Sequence, residues 1–198
     1  MRRPLVIALA GSPRPGGNSD CLLEEFVAGV RDAGADADLV AARDLVFAAC
    51  DGCGGCFTSG RCVHRDDADA FLERLDAADG LVVASPVYFA GVPAVLKAVL
   101  DRMQPCWART YRLGQPRRPK RPGAYLLVGA GGDPFGTAGA EATLSSAMQV
   151  CGFSVDVAGR FVGLDGPDDA RRDADLRARV RAMGADFAAG VLEGAARR

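Results

Sequence analysis

LVIALAGSPRPGGNS, residues 5–19, is the stretch that decides the fold. Its first six residues are an unbroken apolar run of strand length, typical of a buried parallel strand. The run stops at Gly11 and gives way to a loop of Gly, Ser, Pro and Asn. An apolar stripe at helical spacing then begins, with Leu22, Leu23, Phe26, Val27 and Val30 on one face. Strand, small-residue loop and helix start make an anion site: the first N–H groups of a helix have no partner within it, and its dipole adds partial positive charge. Ser12, Asn18 and Ser19 add side-chain donors and Arg14 a formal charge. A nucleoside-triphosphate loop would read G-x-x-x-x-G-K-[ST]. Gly11 and Gly16 have that spacing, but Gly17 and Asn18 stand where the lysine and hydroxyl belong. The G-x-G-x-x-G of a dinucleotide site is absent too. What remains suits one small terminal phosphate wrapped by a single loop.

Outward from this loop, the chain reads as alternating strands and helices. Ala37–Ala42 is a weak second strand. Asp66 or Asp67 caps a helix running to about Ala77, with Phe71, Leu72 and Leu75 inward. Leu81–Ala84 is a third strand, ending in Ser85-Pro86-Val87-Tyr88-Phe89-Ala90-Gly91. A helix with Pro93 in its first turn follows, its apolar side formed by Val95, Leu96, Val99, Leu100 and Met103. Residues 109–122 form a proline-broken basic loop, read as a solvated connector or an arm for oligomer packing rather than a lid. Ala124–Val128 is the fourth strand and opens into Gly129-Ala130-Gly131-Gly132-Asp133. A helix to about Cys151, a strand over Phe153–Phe161 and a last helix carrying Leu176, Val180, Met183 and Phe187 complete the series; Arg197-Arg198 is a fraying tail. Five strands alternating with five helices predict an α/β fold of flavodoxin-like kind: a doubly wound parallel sheet of order 2-1-3-4-5, helices on both faces. That order brings the loops after strands 1, 3 and 4 to one edge, where ligands of such sheets bind.

At 198 residues the chain is expected to be one domain, 1–198. Its net charge of −1 gives no reason to expect nucleic acid or an anionic membrane as partner. Arg2-Arg3, the apolar run and Ala8-Leu9-Ala10 mimic an export signal, but the run is at the bottom of the length range and is what a buried first strand needs. Residues 80–96 carry no charge, yet fall short of a membrane span and are broken by Pro86 and Pro93. A cytoplasmic protein is expected, and its seven cysteines then point to thiols or a metal site rather than disulfides.

The loop residues carry a resemblance. Gly11-Ser12-Pro13-Arg14 through Gly17-Asn18-Ser19, with Ala84-Ser85-Pro86-Val87-Tyr88-Phe89, Val92-Pro93-Ala94-Val95-Leu96-Lys97 and Asp101-Arg102, resembles the NAD(P)H-dependent FMN reductase family along nearly the whole chain. The resemblance implies that Ser12, Arg14, Gly17, Asn18 and Ser19 hold the phosphate of FMN. Pro86, Val87, Tyr88 and Phe89 would pack on the isoalloxazine ring, and Gly131 and Gly132 would let a third loop approach it. An apolar, aromatic slot with a few placed polar contacts is what a flavin requires. NAD(P)H would deliver hydride to flavin N5 and a second acceptor would take the electrons: a quinone, a flavin, a small organic substrate or a ferredoxin-type carrier. No catalytic acid or base is required of the protein, and none is nominated. A non-enzymatic flavodoxin-type carrier is the alternative. The family implies a homodimer or homotetramer in which a neighbour covers the flavin.

Cys50, Cys53, Cys56 and Cys62 form C-x2-C-x2-C-x5-C, interleaved with Gly52, Gly54, Gly55 and Gly60. The first three have a spacing used for [4Fe–4S] ligation, and the whole resembles the compact motif of the iron–sulfur flavoproteins, a branch of the same family. A [4Fe–4S] cluster, a structural zinc ion and a metal-free loop all remain open. His64 reads as a surface residue, and Cys21, Cys106 and Cys151 as small buried hydrophobes. Trp107 either borders the flavin or packs.

Overall fold

The computed structural model describes residues 2–197. Five parallel strands, β1 (Leu5–Ala10), β2 (Asp36–Ala41), β3 (Gly80–Pro86), β4 (Gly123–Gly129) and β5 (Val157–Val162), form one sheet in the order β2-β1-β3-β4-β5. β1 and β3 pair in register from Val6 opposite Gly80 to Ala10 opposite Ala84. Both strands are buried, and successive side chains point to opposite faces. Val6, Ala8, Val82 and Ala84 join a core under α1 (Asn18–Asp32) and the long C-terminal helix, Ala174–Ala196. Ile7, Leu9, Leu81 and Val83 join the opposite core, under α3 (Asp67–Ala77), α4 (Ala94–Asp101) and α6 (Ala138–Val150). The doubly wound layering is thus written in the alternation of two central strands.

On the first face the two helices approach backbone to backbone. A Cβ on Gly29 would lie 1.9 Å from the Arg181 carbonyl oxygen, and one on Gly184 would lie 2.0 Å from that of Phe26. Glycine is required at both positions for this crossing. The Phe26 and Phe187 rings meet beside it, centroids 5.4 Å apart.

The sequence reading needs several corrections. Among the described residues there are eight α-helical segments, not five. The additions are α2 (Cys56–Ser59), α5 (Gln104–Tyr111) and α7 (Asp169–Arg172), so the C-terminal helix is α8. The helix after Pro93 ends at Asp101 and a new one starts at Gln104, with Pro105 near its N-terminus, where a missing N–H costs nothing. β5 starts at Val157, not Phe153, which makes only an isolated bridge to Arg121. β2 ends at Ala41, and a 3₁₀ turn occupies Ala42–Asp44. Arg197 caps α8, while Arg198 lies outside the described residues.

The basic segment 109–122 is not simply a solvated connector. Arg109 belongs to α5 and pairs with Asp76 at 2.6 Å, and Arg118 reaches the same carboxylate at 3.4 Å. Arg121 is buried. It donates to the carbonyls of Leu75 and Ala78 at the end of α3, and of Cys151 beyond α6, at 2.8–2.9 Å. Its guanidinium also stacks 3.9 Å from the centre of the Phe153 ring. It closes two helix C-termini whose last carbonyls have no partner within the helix.

Candidate functional site

Three loops leave the carboxyl edge of the adjacent strands β1, β3 and β4, and backbone hydrogen bonds tie them together. Gly11 N–H donates to the Ala84 carbonyl at 2.7 Å, so the first loop starts against the end of β3. A Cβ on Gly11 would lie 2.5 Å from Leu96 Cδ2, which explains a glycine at that strand end. Val87 N–H donates to Val128 at 2.9 Å, and Ala140 N–H to Ala90 at 2.8 Å, linking the second loop to β4 and to α6.

The first loop turns on Ser12, whose buried hydroxyl accepts from Arg14 N–H at 3.1 Å and donates to the Arg14 carbonyl at 2.8 Å. Gly17, at the N-cap of α1, supplies no side chain to cap the helix, and its first N–H groups stay available. Arg14 is exposed, and its Nε lies 3.5 Å from where a Gly17 Cβ would stand, beside that helix start. Among the described residues no carboxylate lies within ion-pair distance of Arg14. Ser19 is buried at the same terminus.

Asn18 is placed differently from the expectation. Its amide donates to the Gly166 carbonyl at 2.8 Å and accepts from Ala170 N–H at 3.0 Å, so the side chain anchors α7. Its backbone N–H is what it can offer at the loop. The sequence reading also missed the brace beneath the loop. Asp20 accepts from Gly16 N–H at 3.0 Å and pairs with Arg43, also at 3.0 Å, while Arg43 donates to the Ser12 carbonyl at 3.2 Å. An acid in the first turn of α1 was visible, but nothing local marks Arg43 as its partner.

Pro86 and Val87 are half-buried where β3 ends, and Tyr88 and Phe89 are exposed beyond it. Tyr88 and Gly91 exchange two hydrogen bonds of 2.9 Å around a reversal in which Phe89 (φ 49°) and Ala90 (φ 58°) are both left-handed. That conformation costs about 1–2 kcal/mol per residue outside glycine. Such a conformation persists only where the surrounding structure holds it. Gly131 and Gly132 carry φ of 92° and 82° in the third loop.

The four cysteines line a separate cavity of about 400 Å³ together with Phe57, His64, Asp101 and Arg102. Gly52, Gly54 and Gly60 take the left-handed conformation that lets so short a segment turn repeatedly. Cys50 and Cys53 are exposed, and Cys56 and Cys62 half-buried. Burial, then the neighbouring thiols, pushes the Cys56 thiol up. His64 is not a plain surface residue: it lines this cavity, Nε2 3.6 Å from Asp51 Oδ2. Arg102 is almost wholly buried, donates to both carboxylate oxygens of Asp66 at 2.7 and 2.9 Å, and leaves an enclosed Nε without a hydrogen-bond partner. An orphaned cationic donor at the wall suits an anionic group with thiolate ligands. Among the described residues no three His, Cys, Asp or Glu side chains are placed to hold a single metal ion.

Trp107 packs on aromatic neighbours, stacked on Tyr111 at 5.6 Å and tilted against Phe57 at 5.8 Å. Cys21, Cys106 and Cys151 are buried as expected. The neighbouring Cys106 thiol and burial push the Cys151 thiol up.

A family profile described as NADPH-dependent FMN reductase matches residues 4–164. The chain belongs to the NADPH-dependent FMN reductase family. Several curated relatives are iron-sulfur flavoproteins. An iron-sulfur flavoprotein of Methanocaldococcus jannaschii is 38% identical over 125 residues, 63% of this chain and 62% of that protein. Another, from Archaeoglobus fulgidus, is 29% identical over 178 residues, 88% of this chain and 78% of its own length. Among solved structures, an NAD(P)H:quinone oxidoreductase from Methanothermobacter marburgensis superposes with a TM-score of 0.68 at 20% identity, over 94% of this chain and 96% of that one. An archaeal flavodoxin gives 0.56 at 15% identity over 94% and 98%. These two likenesses establish the flavodoxin-like fold. Among the described residues no helix is long and apolar enough to cross a membrane.

Proposed function

We propose that this member of the FMN reductase family binds FMN across its three carboxyl-edge loops, takes hydride from NAD(P)H and passes the electrons to a second acceptor. The observation that carries this reading is the first loop: an uncapped helix start with an arginine beside it that has no acidic partner among the described residues. A phosphate there would meet backbone N–H groups of Gly17, Asn18 and Ser19 and the Arg14 guanidinium. Ser12 fixes the turn, and Arg43 and Asp20 brace it from below. Pro86, Val87, Tyr88 and Phe89 offer an apolar and aromatic wall for a flat ring, and Gly131 and Gly132 bring backbone to its other side. Bound FMN would supply the redox chemistry itself, accepting hydride and releasing electrons. The protein's part is to bind, orient and exclude water.

The four-cysteine loop is read as the ligand set of a [4Fe–4S] cluster. A zinc ion draws its donors to about 2.3 Å from one point, whereas a four-iron cluster is a larger body gripped at its corners. Four thiols around a cavity fit the second better than the first, and the relatives are named iron-sulfur flavoproteins. Cys50, Cys53, Cys56 and Cys62 would hold the cluster, which adds one-electron transfer to the flavin's chemistry. The acceptor is then a small molecule or a redox protein. A cytoplasmic homodimer or homotetramer remains the proposed assembly.

Anaerobic purification followed by a visible spectrum and iron and sulfide analysis tests both parts. The expected result is one flavin with about four iron and four sulfide per chain. Flavin without iron would remove the cluster and leave a simple reductase. Protein that takes up neither would overturn the proposal.

A further inference from the structure

The strongest unassigned feature is the buried cation behind the cysteine loop. Arg102 lies just past the C-terminus of α4 and is 1% exposed, the largest fully buried side chain among the described residues. A cation in that position is costly unless partnered. Asp66, at the N-cap of α3, takes both terminal nitrogens, and the Ala48 carbonyl takes Nη1 again at 2.6 Å. The Nε has no partner, yet Arg102 helps line the cavity that holds Cys50, Cys53, Cys56 and Cys62. Cys62 and Arg102 line the same cavity wall. Burial works against the charge, but Asp66 and Cys62 outweigh it and hold the guanidinium's proton more tightly than usual. The same hydrogen bonds keep the Asp66 carboxyl below its ordinary range.

A salt bridge needed only to join α3 to α4 would satisfy the fork and face away from the thiols. Here one ion pair has two neighbours: its carboxylate caps the α3 N-terminus, and its arginine lines the cysteine cavity. We propose that Arg102 is a positioning residue for the group on the four cysteines, its buried charge stabilising the added negative charge when that group is reduced, with Asp66 setting how much of the cation's field is felt there. This rests on the cluster reading above. The redox event is uptake of one electron, with no bond made or broken at Arg102 and no proton transferred.

The pair makes a signed test possible. In anaerobic potentiometric titration with dithionite as reductant, Asp66→Asn leaves the cation uncompensated and should raise the cluster's midpoint potential. Arg102→Gln leaves the carboxylate uncompensated and should lower it and loosen the iron. Arg102→Lys, which keeps the charge, should restore most of both potential and iron content. Circular dichroism and flavin content confirm that each variant is folded. Asp66→Asn keeps the test open should Arg102→Gln fail to fold. Shifts of one sign in both variants, or none in Asp66→Asn, would overturn the role of Arg102 while leaving the cluster in place. A wild-type chain without iron or sulfide would overturn the cluster reading and this inference together.

Discussion

Replacing Arg14 with alanine removes a cation that, among the described residues, has no ion-pair partner beside the start of α1, and leaves the turn intact. Ser12 holds that turn through the backbone N–H and carbonyl of residue 14, not through its side chain. Arg14 has no ion-pair partner among the described residues, so its loss breaks no salt bridge and should not destabilise the fold. A hydrogen bond to a charged group is worth about 1.5–3 kcal/mol. Arg14 is exposed, so solvent screening puts it at the low end, about 1.5 kcal/mol, or roughly tenfold in FMN affinity. Titrating flavin-free protein into FMN and following loss of flavin fluorescence measures this directly. Riboflavin, which has the ring but no phosphate, is the internal control. Arg14→Ala should weaken FMN about tenfold and leave riboflavin unchanged, and added salt should narrow the gap between variant and wild type. Equal weakening of both ligands, or of neither, would refute the placement of the phosphate at this helix start.

Other consequences are just as specific. Arg121→Met should lower stability by about 3–5 kcal/mol, because it strands buried carbonyls at two helix ends; a melting temperature unchanged by the substitution would contradict that role. Phe89→Gly relieves a left-handed side-chain residue at φ 49° and should leave thermal stability equal or raised by about 1 kcal/mol, while weakening flavin binding; lowered stability would mean Phe89 packs within its own chain. Arg160, Thr137 and Tyr125 hold the Glu141 carboxyl down to about 2. A carboxyl depressed on folding adds stability above its unfolded value near 4.5, and that stability is lost as pH falls toward about 2. With Arg160 exposed, solvent screening keeps that contribution small. Glu141→Gln should therefore flatten the acid limb of the stability curve across that window, and a parallel shift at every pH would speak against it.

Much of the cradle was legible because its signals are local. A strand running into glycine, the alternation in β1 and β3, and a cap at Asp66 or Asp67, which the fold assigns to Asp66, each depend on a few neighbouring residues. So the sheet order, and with it the meeting of three loops, followed from residues 5–19, 81–91 and 124–133. What escaped was long-range pairing. Asp20 with Arg43 and Asp66 with Arg102 are joined only by the fold, and a lone arginine in sequence does not reveal whether it is wet. Arg121 shows the same failure: within Arg117-Arg118-Pro119-Lys120-Arg121 it reads as solvated, yet two helix ends close over it. Asn18 misled in the opposite direction. It has the right chemistry at the right loop, but α7, too short to be recognised, claims its side chain.

The central claim is that these loops hold a flavin that NADPH can reach. Anaerobic mixing of FMN-loaded protein with NADPH, followed at the flavin's visible absorbance, tests it most directly. The account predicts rapid bleaching that saturates with NADPH concentration and is restored by an added quinone or by oxygen. A bound flavin that stays oxidised in excess NADPH would contradict it and leave a carrier in place of a reductase.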